Sequence, residues 1–134
     1  LKSYPNDVKV VFKHLPLPFH QQARPAALAT VAAQQQGKFW EMHDLLFENQ
    51  SALGPDKYVE YAQQIGLDVE KFKKDMASDE SGKKVDADAE LANSLGIHGT
   101  PGFFVNGVQV DGAQPFTVFK GLIDKWLDRM KPKA

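Results

Sequence analysis

Apolar and polar positions partly alternate in Val8-Lys9-Val10-Val11-Phe12-Lys13, with Val8, Val10 and Phe12 on one side. This β-branched run predicts a strand. Leu15-Pro16-Leu17-Pro18 ends it, because proline has no N–H for a ladder. From about Gln21 to Gln36 the pattern turns helical, with Ala26, Ala29 and Ala33 on one stripe beside Val31 and Ala32. After Gly37, the residues Phe39, Trp40, His43, Leu46 and Phe47 recur at helical spacing and predict a second helix with an aromatic face. Pro55 opens a third, striped by Tyr58, Val59, Ala62 and Ile65, with Gly66 as its C′ residue. Asp68 is placed to cap a short fourth helix carrying Val69, Phe72 and Met76. A fifth runs from Ser78 to Leu95, with Val85, Ala89, Ala92 and Leu95 inward. Asn106-Gly107 between two apolar runs predicts a two-residue hairpin. From about Pro115, Phe119, Leu122, Ile123, Trp126, Leu127 and Met130 form the stripe of a closing amphipathic helix. One strand, five helices, a hairpin and a helix predict a short sheet with helices on both faces.

The 134 residues suit one domain, and no repeat or linker divides them. Sixteen basic against seventeen acidic residues leave no electrostatic footprint for nucleic acid, so no nucleic-acid partner is expected. No apolar run approaches the roughly 18 residues of a membrane span. Cysteine is absent, which removes disulfides, thiolate metal sites and a cysteine nucleophile from this chain. The first residue is Leu1, so the chain is expected to be a processed form or a piece of something longer.

Candidate chemistry is sparse. His14, His20, His43 and His98 show neither His-x-x-His nor His-x-x-x-His spacing, so no metal site is expected. Asp86, Asp88 and Glu90 alternate on a helix with Lys83 and Lys84, which reads as a solvated face. Phe39, Trp40 and Phe47 read as core rather than a ligand box. Phosphate-cradling glycine patterns and a Gly-x-Ser-x-Gly context are missing, so no cofactor and no catalytic residue is expected in this chain.

Two motifs carry a resemblance. Gly96-Ile97-His98-Gly99-Thr100-Pro101-Gly102-Phe103-Phe104-Val105-Asn106-Gly107 resembles the loop in which a threonine or valine precedes a cis-proline and leads into the sheet hairpin. Phe12-Lys13-His14-Leu15-Pro16-Leu17-Pro18-Phe19-His20, with the later Gly37-Lys38-Phe39-Trp40-Glu41-Met42-His43-Asp44, resembles a strand exit and the start of a helical insert. From Tyr4 to Leu127 the chain resembles the DsbA-like thiol:disulfide oxidoreductases. The resemblance implies an α/β fold of the thioredoxin-like type over residues 1–134, with an all-helical insert at about 37–95. It also implies a cis bond before Pro101, with Thr100 and Pro101 as substrate-binding positions. Protein or peptide thiol and disulfide substrates and an extracytoplasmic, periplasmic or secreted setting are implied with it.

One departure is large. The family's Cys-x-x-Cys lies at the start of its first helix, just after its first strand, and neither is present. Leu1-Lys2-Ser3-Tyr4-Pro5 resembles the end of that helix, so the domain is expected to be truncated at its N-terminus and inactive alone. In the resembled architecture the missing strand is central, and its loss leaves two edges roughly 10 Å apart. Each buried backbone group left without a partner costs about 1–3 kcal/mol. The expected outcomes are a front portion lying off this chain, self-association or strand exchange across the gap, or direct closure of Val8–Lys13 onto Phe103–Val105. Two other function classes stay open: a cysteine-free peptide-binding module, and a glutathione-dependent transferase or isomerase of the related type.

Overall fold

In a computed structural model, which describes residues 1–133, the alanine-rich stretch forms α1 (Ala23–Gln34). It is followed by α2 (Phe39–Glu48), a 3-10 turn (Gln50–Ala52), α3 (Pro55–Gln64), α4 (Val69–Met76) and α5 (Asp79–Ser94). The chain resolves into two compact units, Leu1–Ser94 and Leu95–Ala134.

In the first unit, small side chains set the packing. Ala29, Ala32 and Ala33 are fully buried, and α1 lies against α2, α3, α4 and α5. The core joins these alanines to Met42, Leu46, Tyr58, Tyr61, Ala62, Leu67 and Phe72. A smaller cluster of Ala27, Val31 and Val85 seats α5. Polar groups follow the same plan. The Tyr58 hydroxyl donates to Gln22 Oε1 at 2.8 Å. The Gln36 amide clamps residue 68 from both sides, donating to its carbonyl at 3.1 Å and accepting from its N–H at 2.9 Å. Asp68 caps α4 by accepting from the Lys71 N–H at 3.0 Å. Gly66 takes φ 78° at the end of α3, a left-handed conformation that glycine adopts without a Cβ penalty.

Three expectations are corrected here. Val8–Lys13 forms no strand: it pairs with no other strand among the described residues, and Val10 and Val11 are exposed. Local β propensity does not make a strand without a neighbour's edge to complete the ladder. On α5, Val85 is buried but Leu95 lies beyond the helix end and is exposed. The aromatic face of α2 is not core throughout. Phe39 is half-buried, but Trp40 is 47% and Phe47 57% exposed.

The second unit is a hairpin and a helix. β1 (Gly102–Val105) pairs antiparallel with β2 (Val108–Asp111), in the register Gly102 with Asp111 through Val105 with Val108. Asn106 (φ 47°) and Gly107 (φ 85°) both take positive φ, as a type I′ turn requires. α6 (Phe116–Met130) packs on β1 through Phe119, whose ring meets Phe103 edge-on at 4.8 Å. The Arg129 guanidinium lies 5.2 Å from the Trp126 ring. Among the described residues the sheet has these two strands, and no helix is long and apolar enough to cross a membrane.

One substitution tests this packing. A Cβ at Gly102 would stand 2.9 Å from Ile97 Cγ2 and 3.2 Å from its Cδ1. Gly102→Ala is therefore expected to lower stability by about 1–3 kcal/mol through overpacking. Because the clash is with a single side chain, the Gly102→Ala/Ile97→Ala pair should lose less than the sum of its single changes in urea titrations.

Candidate substrate-docking loop

The sequence-nominated residues Thr100 and Pro101 lie in the second unit, on the loop that feeds β1. Gly96 turns the chain with φ 77°, and the Thr100–Pro101 peptide bond is cis. Proline has no N–H, so the loop enters the sheet through its carbonyl. The Pro101 carbonyl accepts from the Gly112 N–H at 3.0 Å, which extends the β1–β2 ladder by one bond. Both residues are exposed. They line an open cleft of about 280 Å³ with Gly96, His98, Gly99 and Gly112. The many glycines let another backbone approach the loop closely. With a shape and backbone groups but no nucleophile, the arrangement is suited to hold an extended chain beside β1.

Sequence reasoning missed a second constellation, in the first unit. Asp88 was expected on a solvated face, yet it is only 3% exposed. Its Oδ2 accepts from the His14 N–H at 3.0 Å, and its Oδ1 accepts from Lys84 Nζ at 2.7 Å, with Lys13 Nζ at 3.7 Å. Burial alone would raise its pKa. The bonds from Lys84 and from the His14 backbone, with the attraction of both ammoniums, outweigh burial and hold the carboxyl below its usual 3.8. His14 is itself buried, its ring edge-on to Phe12 at 5.2 Å and to Phe39 at 6.1 Å. Burial pushes its imidazole below 6.5, the Asp88 charge opposes that, and Lys84 and Lys13 add to it. The only hint in the sequence was the Lys84/Asp88 spacing of four, which solvated helix pairs share.

His43 sits among the α2 aromatics, 4.6 Å from Phe47 and 5.1 Å from Trp40, with its Nδ1 2.9 Å from Asp44 Oδ1. Among the described residues no three His, Cys, Asp or Glu side chains gather as a metal site.

Comparison with known proteins places this geometry. A thioredoxin-like oxidoreductase from Silicibacter pomeroyi superposes with a TM-score of 0.70 at 25% identity, over 88% of this chain and 68% of that one. The thiol-disulfide exchange protein alpha-DsbA2 from Wolbachia pipientis gives a TM-score of 0.80 at 20% identity, covering 93% and 70%. ScsC from Proteus mirabilis in a compact conformation gives 0.78 at 23%, covering 97% and 71%. By sequence, 101 residues are 42% identical to the Na(+)/H(+) antiporter NhaA 3 of Salinispora tropica, which is 75% of this chain and 16% of that protein. An antiporter NhaA of Herminiimonas arsenicoxydans is 39% identical over 108 residues, 81% of this chain and 17% of that protein. The chain thus spans less than a fifth of the length of these curated relatives. The fold is the DsbA-like thioredoxin fold, and residues 1–124 match the DSBA-like thioredoxin domain. The chain belongs to the DSBA-like thioredoxin domain family.

Proposed function

We propose that this chain is the peptide-docking portion of a DsbA-like thiol:disulfide exchange protein, holding an extended substrate against the Thr100–Pro101 loop beside β1. The carrying observation is an exposed loop at the head of the hairpin in a family member that has no cysteine. Dithiol–disulfide exchange needs a thiolate that attacks a disulfide sulfur, forms a mixed disulfide and expels the other sulfur as a thiolate. This chain supplies no such sulfur. The pure protein is therefore expected to give no insulin reduction and no thiol oxidation above the uncatalysed rate; clear turnover would refute the reading. Reduced, unfolded substrate peptides are expected to bind weakly, and Thr100→Arg is expected to weaken that binding without changing the circular dichroism.

A cysteine-free peptide-binding module is the second reading, and the same absence of sulfur favours it. A Cys-x-x-Cys encoded shortly before Leu1 would favour the exchange protein, and another residue pair there the module. Glutathione titration followed by Trp40 and Trp126 fluorescence separates both from a glutathione-dependent transferase or isomerase. The antiporter relatives, far longer than the matched stretch, support a domain that works beside further protein segments. An oxidising, extracytoplasmic setting would suit exchange chemistry. The unpaired Val8–Lys13 stretch is, on this reading, where a strand from another segment or chain adds.

A further inference from the structure

Ile97 and Asp111 meet on one face of the hairpin. Phe103 pairs with Val110 and meets Phe119 of α6, so the neighbouring pair, Gly102 with Asp111, projects to the other face. A Cβ at Gly102 would stand 2.9 Å from Ile97 Cγ2, which puts that half-buried side chain on the same face as the Asp111 carboxylate. Both residues line the open cleft at the Thr100–Pro101 loop. Two steps along the chain and one across the ladder separate Thr100 from Asp111, at most roughly 12 Å between Cα atoms. A lysine or arginine side chain and an aspartate together bridge that distance.

The Asp111 charge is uncompensated. Its Oδ1 accepts from Gln109 Nε2 at 2.7 Å, a neutral donor that fixes the carboxylate and leaves its charge in place. The other acidic side chains of the second unit are paired, Asp124 with Lys120 and Asp128 with Lys131, whereas Asp111 has no ion pair among the described residues. No lysine or arginine lines this cleft among the described residues. The whole chain carries a net charge of only −1, so a basic ligand gains little long-range attraction and a preference for one must arise locally.

We propose that Asp111 is a specificity residue of this loop, selecting extended segments that carry a lysine or arginine beside the stretch held at Thr100. The inference rests on the docking reading given above. The stem of the basic side chain lies on Ile97 and its charged head reaches the Asp111 carboxylate, as long cationic side chains cover apolar surface while keeping the head in water. An acidic residue at that place meets a like charge. An apolar one fits the Ile97 wall but leaves the carboxylate unmatched. Because the ion pair is exposed, the gain is modest, about two- to fivefold in affinity.

The test uses labelled peptides of one extended sequence, with lysine, norleucine or glutamate placed at each position in turn, titrated against the full chain by fluorescence anisotropy. At one position lysine should bind about two- to fivefold tighter than norleucine, with glutamate weakest, and ~0.5 M salt should shrink the difference. Asp111→Asn should erase the lysine preference, and Asp111→Lys should turn it towards glutamate. Asp128→Asn, the same change of charge away from the cleft, should keep it. Circular dichroism of each variant checks that the fold is kept. Equal binding of the three series, a lysine preference that survives Asp111→Asn, or one lost equally in Asp128→Asn would overturn this inference and leave the docking reading standing. If no peptide of any series binds, the docking reading falls and the preference falls with it.

Discussion

Replacing Phe72 by alanine is expected to lower the unfolding free energy by about 3–5 kcal/mol and the Tm by roughly 10–20 °C. Phe72 is fully buried, in the cluster that also holds Ala29, Ala33, Met42, Tyr58 and Ala62. The loss has two parts: the transfer free energy of the ring, and the void left behind. Alanines on α1 have no side chain that could move into that void, so relaxation is limited. Phe72→Leu keeps most of the volume and should lose clearly less. Urea titration with far-UV circular dichroism reads both changes; equal stability of Phe72→Ala and the parent would show that α4 is not held by this core.

Asp88→Ala is expected to cost about 2–4 kcal/mol, because it strands the His14 N–H and leaves two ammoniums without their shared carboxylate. Lys13 and Lys84 are each nearly half exposed, which keeps the figure below that of a fully buried pair. Asp88→Asn keeps an acceptor and should cost less. Acid adds a signature. The folded carboxyl titrates below 3.8, so the unfolded chain takes up the proton first as pH falls. The Asp88 contribution is present above about pH 4 and is lost as pH drops through the folded value. His14 works in a higher window. Its folded pKa lies below 6.5, so its neutral form is favoured in the fold. That stability is present above 6.5 and is lost as pH falls through 6.5 towards the folded value. Two stages of acid destabilisation are therefore expected. His14→Phe, which keeps a ring against Phe12 and Phe39, should remove the upper stage alone, and Asp88→Asn the lower. Stability measured by urea from about pH 7 to about pH 3 checks this; a profile with one stage in all three proteins would contradict it.

The elements whose signals are local were legible in the sequence. Asp68 marked the start of α4, Pro55 and Gly66 bracketed α3, and Asn106-Gly107 gave the hairpin its turn. Thr100 and Pro101 could be nominated because the residues around them form a continuous motif. What failed depends on partners distant in sequence. Val8–Lys13 has strand composition, but a ladder needs a second edge, and none among the described residues offers one. Asp88 looked like half of a solvated pair with Lys84, yet it is buried and accepts from the His14 N–H, 74 positions away. Trp40 and Phe47 follow the same helical spacing as Met42 and Leu46, and spacing alone does not say how far around the α2 cylinder its neighbours reach.

α1 has a consequence for how the first unit comes apart. Each of the other four helices in that unit rests on it, and four of its six buried residues are alanines, too small to reach anything that has moved away. A spoke can loosen from a hub while the remaining spokes stay attached, but the hub cannot be withdrawn without scattering them all. Transient openings at the ends of α3 or α4 are thus separable local events, whereas exposing the α1 backbone coincides with global collapse of the helical assembly. A proteolytic nick inside α1 would therefore trap the wholly unravelled chain and not a partly open one.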